Sequence, residues 1–350
     1  METMKAITVY APNDAKMEDV NKPLATDDMM VVKVCRTGVC ATDLSIYSGE
    51  SSFIRSGEIT LPCRFGHEWA GIVESVGENV KNFKPGDRVY CDNFVSCGKC
   101  DACKEGRYID CKDIRSVGTV NCWEGCFAEY MLMPERHVFR LPDELSMDEG
   151  ALIEPASIAY DAFKGASLDE SKTAVVIGTG AIGMISAWLA KYYGAGKVIL
   201  IGRNDSKMEI SKKLGVDFVI NNRNENAVER VKELTNGKGA DMIIETSGAE
   251  SAFLQCIDMV ARFGRISVVS FYEKDLNNIP IDKLVLGCIS VVGAAGRDGN
   301  AQGVCEIMCK NPIKLTPVIS HHVPFENALD VFENLSKYNN EKIKIMIDFD

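Results

Sequence analysis

Apolar residues follow two regimes along this chain. In the first part they alternate with polar ones over short stretches. Met30, Val32 and Val34 stand against Val31, Lys33 and Cys35, and Ile72, Val73, Val76 and Val80 recur among glycines at 71, 77 and 86. Period-two alternation punctuated by glycine and by Pro85-Gly86 predicts strand, turn, strand. A further strand is expected at 125–130. From residue 173 the pattern changes. TAVVI is an unbroken apolar run, followed by a helix to about residue 193 and by strands at 197–201, 218–220, 240–245, 265–270 and 289–293. Strands alternating with helices predict an α/β fold with a doubly wound parallel sheet, here of six strands. After a flexible crossing at 294–300, Ala328, Val331, Phe332 and Leu335 predict an amphipathic helix over 324–340. Ile343, Ile345, Ile347 and Phe349 then mark one face of a last strand. The expected division is a β-rich domain from 1–153 and 297–350 around a nucleotide-type domain at 154–296.

Composition narrows the classes. Two domains suit 350 residues. The net charge of −11 argues against nucleic-acid or anionic-membrane partners. The uncharged run 174–190 is short for a membrane span and carries three glycines. With no export signal visible at the N-terminus, a cytoplasmic location is expected. Fourteen cysteines in such a chain suggest metal ligation plus buried reduced thiols rather than a disulfide scaffold.

Three constellations carry the chemistry. Gly178, Gly180 and Gly183, with Ala181 and Ile182 between them, follow the TAVVI strand and open a helix. In that context GxGxxG is the dinucleotide fingerprint, with the pyrophosphate received at the helix N-terminus. Cys97, Cys100, Cys103 and Cys111 lie in a polar stretch at 91–112. Four thiolates so close can close a tetrahedral zinc site with no open position. An iron–sulfur site is the alternative, although Lys112 stands where such clusters usually have a proline. The third set is Cys40, His67 and Glu154. Cysteine, histidine and carboxylate leave one position of a catalytic zinc open. Each also has a plainer reading: a free thiol in a turn, a core histidine, a solvated carboxylate. Glu154 precedes Pro155, which favours an extended or turn conformation there.

Cys40 in GVCATD, the Gly66-His67-Glu68 triplet, the spaced glycines and the closing GDRV resemble the zinc-containing medium-chain alcohol and polyol dehydrogenases, over essentially the whole length. The resemblance implies a GroES-like catalytic domain beside a Rossmann domain, and two zinc ions per chain. Cys40, His67 and Glu154 would hold the catalytic ion, with the Glu-Pro pair pointing to the sorbitol dehydrogenase-like branch. Thr42 would contact the substrate hydroxyl and Asp43 would fix the His67 tautomer. Glu68 would hydrogen-bond beside the metal. A histidine common in the family five residues after that cysteine is Ser45 here, so the proton's route outward rests on Thr42, water or Glu68. Trp123 reads either as lining the substrate cleft or as plain packing.

The residue that binds the ribose of NAD in the family falls at Gly202, followed by Arg203. Losing the acid and gaining Arg203 with Lys207 favours NADP over NAD, with Asp205 read as a helix-start residue. The implied reaction is hydride transfer between NADP(H) and a secondary alcohol of a polyol, sugar or cyclitol. A dehydrogenase of simple alcohols or of an amino alcohol such as threonine is the second reading. A non-catalytic NADPH-binding redox sensor is the third. A homodimer or homotetramer is expected, paired through the apolar edge strand at 289–293.

Overall fold

The computed structural model describes residues 2–296, 299–338 and 341–349. Arg297 and Asp298 of the expected crossing, and the end of the helix expected over 324–340, lie outside them. A hairpin of Thr3–Ala11 and Asp14–Asn21 opens the chain. β1 (Met29–Val39), α1 (Ala41–Ser48), β2 (Glu68–Val76), β3 (Arg88–Cys91), β4 (Tyr130–Pro134) and β5 (Val138–Arg140) follow, and α2 (Met147–Asp161) leads out of this region. Next come β6 (Thr173–Ile177), α3 (Ala181–Tyr192), β7 (Lys197–Gly202), α4 (Asp205–Lys212), β8 (Phe218–Asn221), α5 (Ala227–Leu234), β9 (Ala240–Glu245), α6 (Glu250–Met259), β10 (Val260–Val268), α7 (Ile281–Gly287) and β11 (Ser290–Gly293). α8 (Asn300–Lys310), β12 (Ile319–Pro324) and β13 (Lys344–Asp348) complete the order.

The six strands β6 to β11 form one parallel sheet, ordered β8-β7-β6-β9-β10-β11. β6 lies centrally and every one of its residues is buried. Helices cover both faces of such a sheet, which is why its strands read as continuous apolar runs. The β-rich part is a mixed sheet in which β1 pairs antiparallel with β2 on one side and with β13 on the other. Gly38 is thereby flanked by Glu68 and Met346. β13 comes from the far end of the chain, so the C-terminus completes the sheet that carries His67 and Glu68.

Three expectations are corrected. Glu154 and Pro155 are neither extended nor in a turn; both lie inside α2. A proline within a helix costs about 3 kcal/mol or more, but nearly every residue of α2 from Glu149 to Asp161 is buried against both domains, and that burial outweighs the local preference. The amphipathic helix over 324–340 breaks into short pieces: a 3-10 turn at Phe325–Asn327, an α-helix at Ala328–Glu333 and a 3-10 turn at Leu335–Tyr338. Asn327 and Asn334, poor helix formers, stand at the breaks. Residues 125–129 run irregularly along the first hairpin, with a single bridge from Ala128 to Ala6, and regular pairing starts only at Tyr130.

Contacts between residues 52–55 and 271–273 join the domains across the cleft. Arg55 Nη2 lies 3.0 Å from Glu273 Oε2, and the rings of Phe53 and Phe271 meet edge to face at 5.3 Å. Among the described residues no helix is long and apolar enough to cross a membrane.

Candidate active site

β1 ends at Val39 and Cys40 takes the capping position of α1 in an extended conformation. Asp43, on the first turn, turns back to accept the Cys40 N–H through Oδ2 at 2.8 Å. Its other oxygen lies 3.3 Å from Nδ1 of His67, which is buried at the mouth of β2. The two atoms are close but not aligned as a hydrogen bond. Burial alone would lower the His67 pKa. The Asp43 carboxylate and Cys40 outweigh it and hold the imidazole well above its ordinary range. An electron-rich cysteine and carboxylate that draw a positive charge onto a buried ring have the chemistry of a cation site.

A sulfur of Cys40, a ring nitrogen of His67 and a carboxylate oxygen of Glu68 lie within 4.8 Å of one another. Glu154 is not in that group. Its carboxyl is buried in the middle of α2 and accepts from Asn93 Nδ2 at 3.2 Å. Burial foremost pushes it up to about 7; His67 works against this and Glu68 adds to it. His67 and Lys344 act on Glu154 only through their charge, and among the described residues no lysine or arginine pairs with it, which suits a metal ion, whereas Glu68 already has its cation. Both oxygens of Glu68 lie 2.6 Å from Lys344 Nζ, and the ammonium also donates to the Val39 carbonyl. Gly38 provides the room, since a Cβ there would stand 2.0 Å from Glu68 Oε2. Thr42 is half-buried on α1, where its carbonyl accepts from Ser45, and the Trp123 indole is anchored to the Leu132 carbonyl at 2.7 Å.

Cys97, Cys100, Cys103 and Cys111 converge, with donor atoms within 4.8 Å of one another. Two of the sulfur separations are 3.9 Å, from Cys97 to Cys103, and 3.5 Å, from Cys100 to Cys103. Sulfurs bound tetrahedrally to zinc at its usual bond length stand about 3.8 Å apart, so the cage fits the ion. Backbone N–H groups of Lys99 and Cys100 hold the Cys97 thiol down to about 6, while burial pushes Cys111 up to about 11. Of the nine remaining cysteines, all expected to be buried, Cys63, Cys91, Cys126, Cys256 and Cys305 are, whereas Cys35, Cys122 and Cys309 are only half-buried and Cys288 is exposed at the end of α7.

In the nucleotide domain, Gly178 has φ of 118°, and a Cβ there would strike Thr246 Oγ1 at 2.4 Å. A Cβ on Gly183 would stand 2.1 Å from the Gly178 carbonyl. The turn therefore needs both glycines, and Gly180, Ala181 and Ile182 open α3 with no side-chain cap, leaving the first N–H groups to a phosphate. Gly202 ends β7 and Arg203 is exposed. Asn204 caps α4, and Asp205 stands at its first position with its carboxylate accepting from Asn221 at 2.7 Å. Burial lowers the Lys207 ammonium.

Sequence reasoning missed Lys344, Asn93 and Asp161. Lys344 carried a signal, the one cation of the strand Lys344–Asp348, followed by Ile345, Met346 and Ile347. Asp161, at the end of α2, lines a cavity of about 370 Å³ with Ser270, Phe271, Ala294 and Ala295, beyond the ends of β10 and β11. Its carboxylate accepts from the Ala295 N–H at 3.2 Å and from Asn300 at 3.3 Å. The carboxyl ends of the strands in an open α/β sheet are where ligands bind.

Known proteins share this arrangement. The alcohol dehydrogenase GroES-like domain matches residues 26–143, and the zinc-binding dehydrogenase domain matches residues 181–308. The chain is 31% identical to sorbitol dehydrogenase of Bacillus subtilis (strain 168), over 99% of this chain and 97% of the relative. It is equally 31% identical to L-threonine 3-dehydrogenase of Pyrococcus abyssi, over 99% of each. A zinc-binding dehydrogenase of Sinorhizobium meliloti 1021, solved with NADP bound, superposes with a TM-score of 0.90 at 25% identity, over 100% of both chains. An alcohol dehydrogenase of Escherichia coli CFT073, solved with NADH, superposes at 0.88, also at 25% identity over 100% of both. With the GroES-like and Rossmann domains, the zinc-type site and relatives matched from end to end, this chain is an oxidoreductase acting on alcohol groups and belongs to the zinc-containing medium-chain alcohol dehydrogenase family.

Proposed function

We propose that the chain oxidises a secondary alcohol of a polyol, sugar or cyclitol, reversibly, with NADP rather than NAD, and that it holds two zinc ions per chain in a homodimer or homotetramer. The observation that carries the substrate class is Glu154, a buried carboxyl near enough to His67 to feel its charge and paired with no lysine or arginine among the described residues. Cys40, His67 and Glu154 would hold the catalytic ion, and the four clustered cysteines the structural one. Bound zinc supplies a Lewis acid that eases loss of the alcohol proton, and bound nicotinamide accepts the hydride. Asp43 orients His67 from behind. Thr42, one residue into α1 from its first position, offers the hydroxyl that positions the substrate alcohol and takes its proton. Lys344 occupies both oxygens of Glu68, which leaves Thr42 and solvent to carry the proton outward. Gly202, Arg203 and Lys207 favour the 2′-phosphate, because position 202 carries no acid, the Asp205 carboxylate is engaged by Asn221, and two cations can meet the phosphate.

A second reading is an amino-alcohol dehydrogenase, favoured by the likeness to L-threonine 3-dehydrogenase. Polyols, cyclitols, sugar phosphates, simple alcohols and L-threonine, each assayed with both cofactors, decide between them. Highest kcat/KM on a polyol or sugar with NADP is the expected result. Turnover of L-threonine above all polyols would replace the first reading by the second.

A further inference from the structure

We propose that Thr179 determines cofactor choice together with Gly202, by occupying the space in which an acidic side chain at 202 would begin. The inference rests on the NADP reading and adds a second residue to it. Gly202 is the last residue of β7 and pairs with Asn221 of β8, and its φ is not in the left-handed region. Its backbone would accept any residue, so conformation does not explain the glycine. Space does. A Cβ built on Gly202 stands 2.2 Å from Thr179 Cγ2, 3.2 Å from Thr179 Oγ1 and 3.3 Å from Thr179 Cβ. Ordinary contact between such atoms begins near 3.5 Å.

The obstruction cannot easily move. Thr179 is β-branched and stiff about χ1. It is held between Gly178, whose φ of 118° a side-chain-bearing residue rarely adopts, and Gly180, the residue that opens α3. Thr246 is itself tied to the Ile177 carbonyl at 2.8 Å. The methyl of Thr179 therefore lies over the end of β7, and any side chain at 202 must displace it. An acid at 202 is excluded twice, by the missing side chain and by the methyl that fills its place. Of the charged groups that follow Gly202, Arg203 is exposed, Lys207 is half-buried, and the Asp205 carboxylate is engaged by Asn221.

The test is a double-mutant cycle on the zinc-loaded protein, read by melting temperature and by titration with NAD and NADP. Gly202→Ala alone is expected to lower Tm, and Thr179→Ala is expected to relieve most of that loss in the double variant. Gly202→Asp alone should weaken both cofactors, because the turn is pushed out of place. Thr179→Ala with Gly202→Asp should bind NAD about tenfold or more tighter than Gly202→Asp does, as one charge-assisted hydrogen bond allows. Equal Tm losses for Gly202→Ala with and without Thr179→Ala overturn the proposal, as does tight NAD binding by Gly202→Asp alone. The alanine pair tests the coupling by itself even if the aspartate variants fail to fold. Tighter binding of NAD by the unaltered protein would overturn the NADP reading, yet leave the coupling of 179 with 202 to stand or fall on the cycle.

Discussion

Lys344 and Glu68 form a closed ion pair beside the candidate metal site, with the ammonium 2.6 Å from each carboxylate oxygen and both residues almost wholly buried. Burial works against the charge on Lys344, and Glu68 more than restores it, holding the ammonium above its ordinary range. Glu68 lies next to His67 in sequence, so the pair also fixes the start of β2.

Removing one partner should cost far more than removing both. Lys344→Met leaves a buried carboxylate uncompensated and is expected to cost ~3–5 kcal/mol, whereas Lys344→Met with Glu68→Gln should recover a large part of it. Urea unfolding of the two variants measures the difference; equal losses would show that the pair contributes no coupling.

Metal content separates the two ligand sets. The purified chain should carry two zinc equivalents. Cys40→Ser or Glu154→Ala should abolish turnover with little change in Tm. Cys100→Ser or Cys111→Ser should lower Tm first, since that lobe is polar and the ion replaces a hydrophobic core. Metal analysis giving a single equivalent, or equal melting losses in both groups, would contradict the division.

Cofactor charge should be read by Arg203. Arg203→Ala is expected to weaken NADP about tenfold while leaving NAD unchanged, the loss of one charge-assisted contact to the 2′-phosphate. Matching losses for both cofactors would place Arg203 away from that phosphate.

Self-association should run through the edge of the parallel sheet. β11 is its last strand, with Val291 exposed, and α7 beside it exposes Ile281, Val285 and Leu286. An unpaired edge flanked by an apolar patch favours pairing with a second copy about a two-fold axis. Light scattering at micromolar concentration should give a dimer or tetramer, and Leu286→Lys with Val291→Lys should reduce the dimer to a monomer. A monomer without substitution would refute this.

Much of the site was legible because its signals are local. Four cysteines packed between 97 and 111, and glycines at 178, 180 and 183 after an apolar run, state through spacing alone that the thiols converge and that a glycine turn leads from strand to helix. The six parallel strands were legible for a related reason, since burial on both faces writes itself as unbroken apolar runs. What failed was decided by tertiary packing. Pro155 reads locally as a helix boundary, but α2 is buried along most of its length and keeps the proline inside. The partnership of Lys344 with Glu68 joins residues 276 positions apart, and no periodicity reports it. The steric coupling of Thr179 to Gly202 was equally invisible, because a glycine at the end of a strand looks like a missing acid rather than a filled space.

α2 is shared by both domains, packing on β2 at one side and on α3 and α8 at the other. It carries Glu154 in its middle and Asp161 at its end, beside the cavity under β10 and β11. Mechanically it is a shaft. If the two domains turn relative to each other about this helix, points on it move least and points far from it move most. Glu154 would then keep its place through every opening and closing, while the contacts of Arg55 with Glu273 and of Phe53 with Phe271, out at the rim, would part and meet. Such a layout lets the cleft exchange its cofactor without disturbing the carboxylate at its centre.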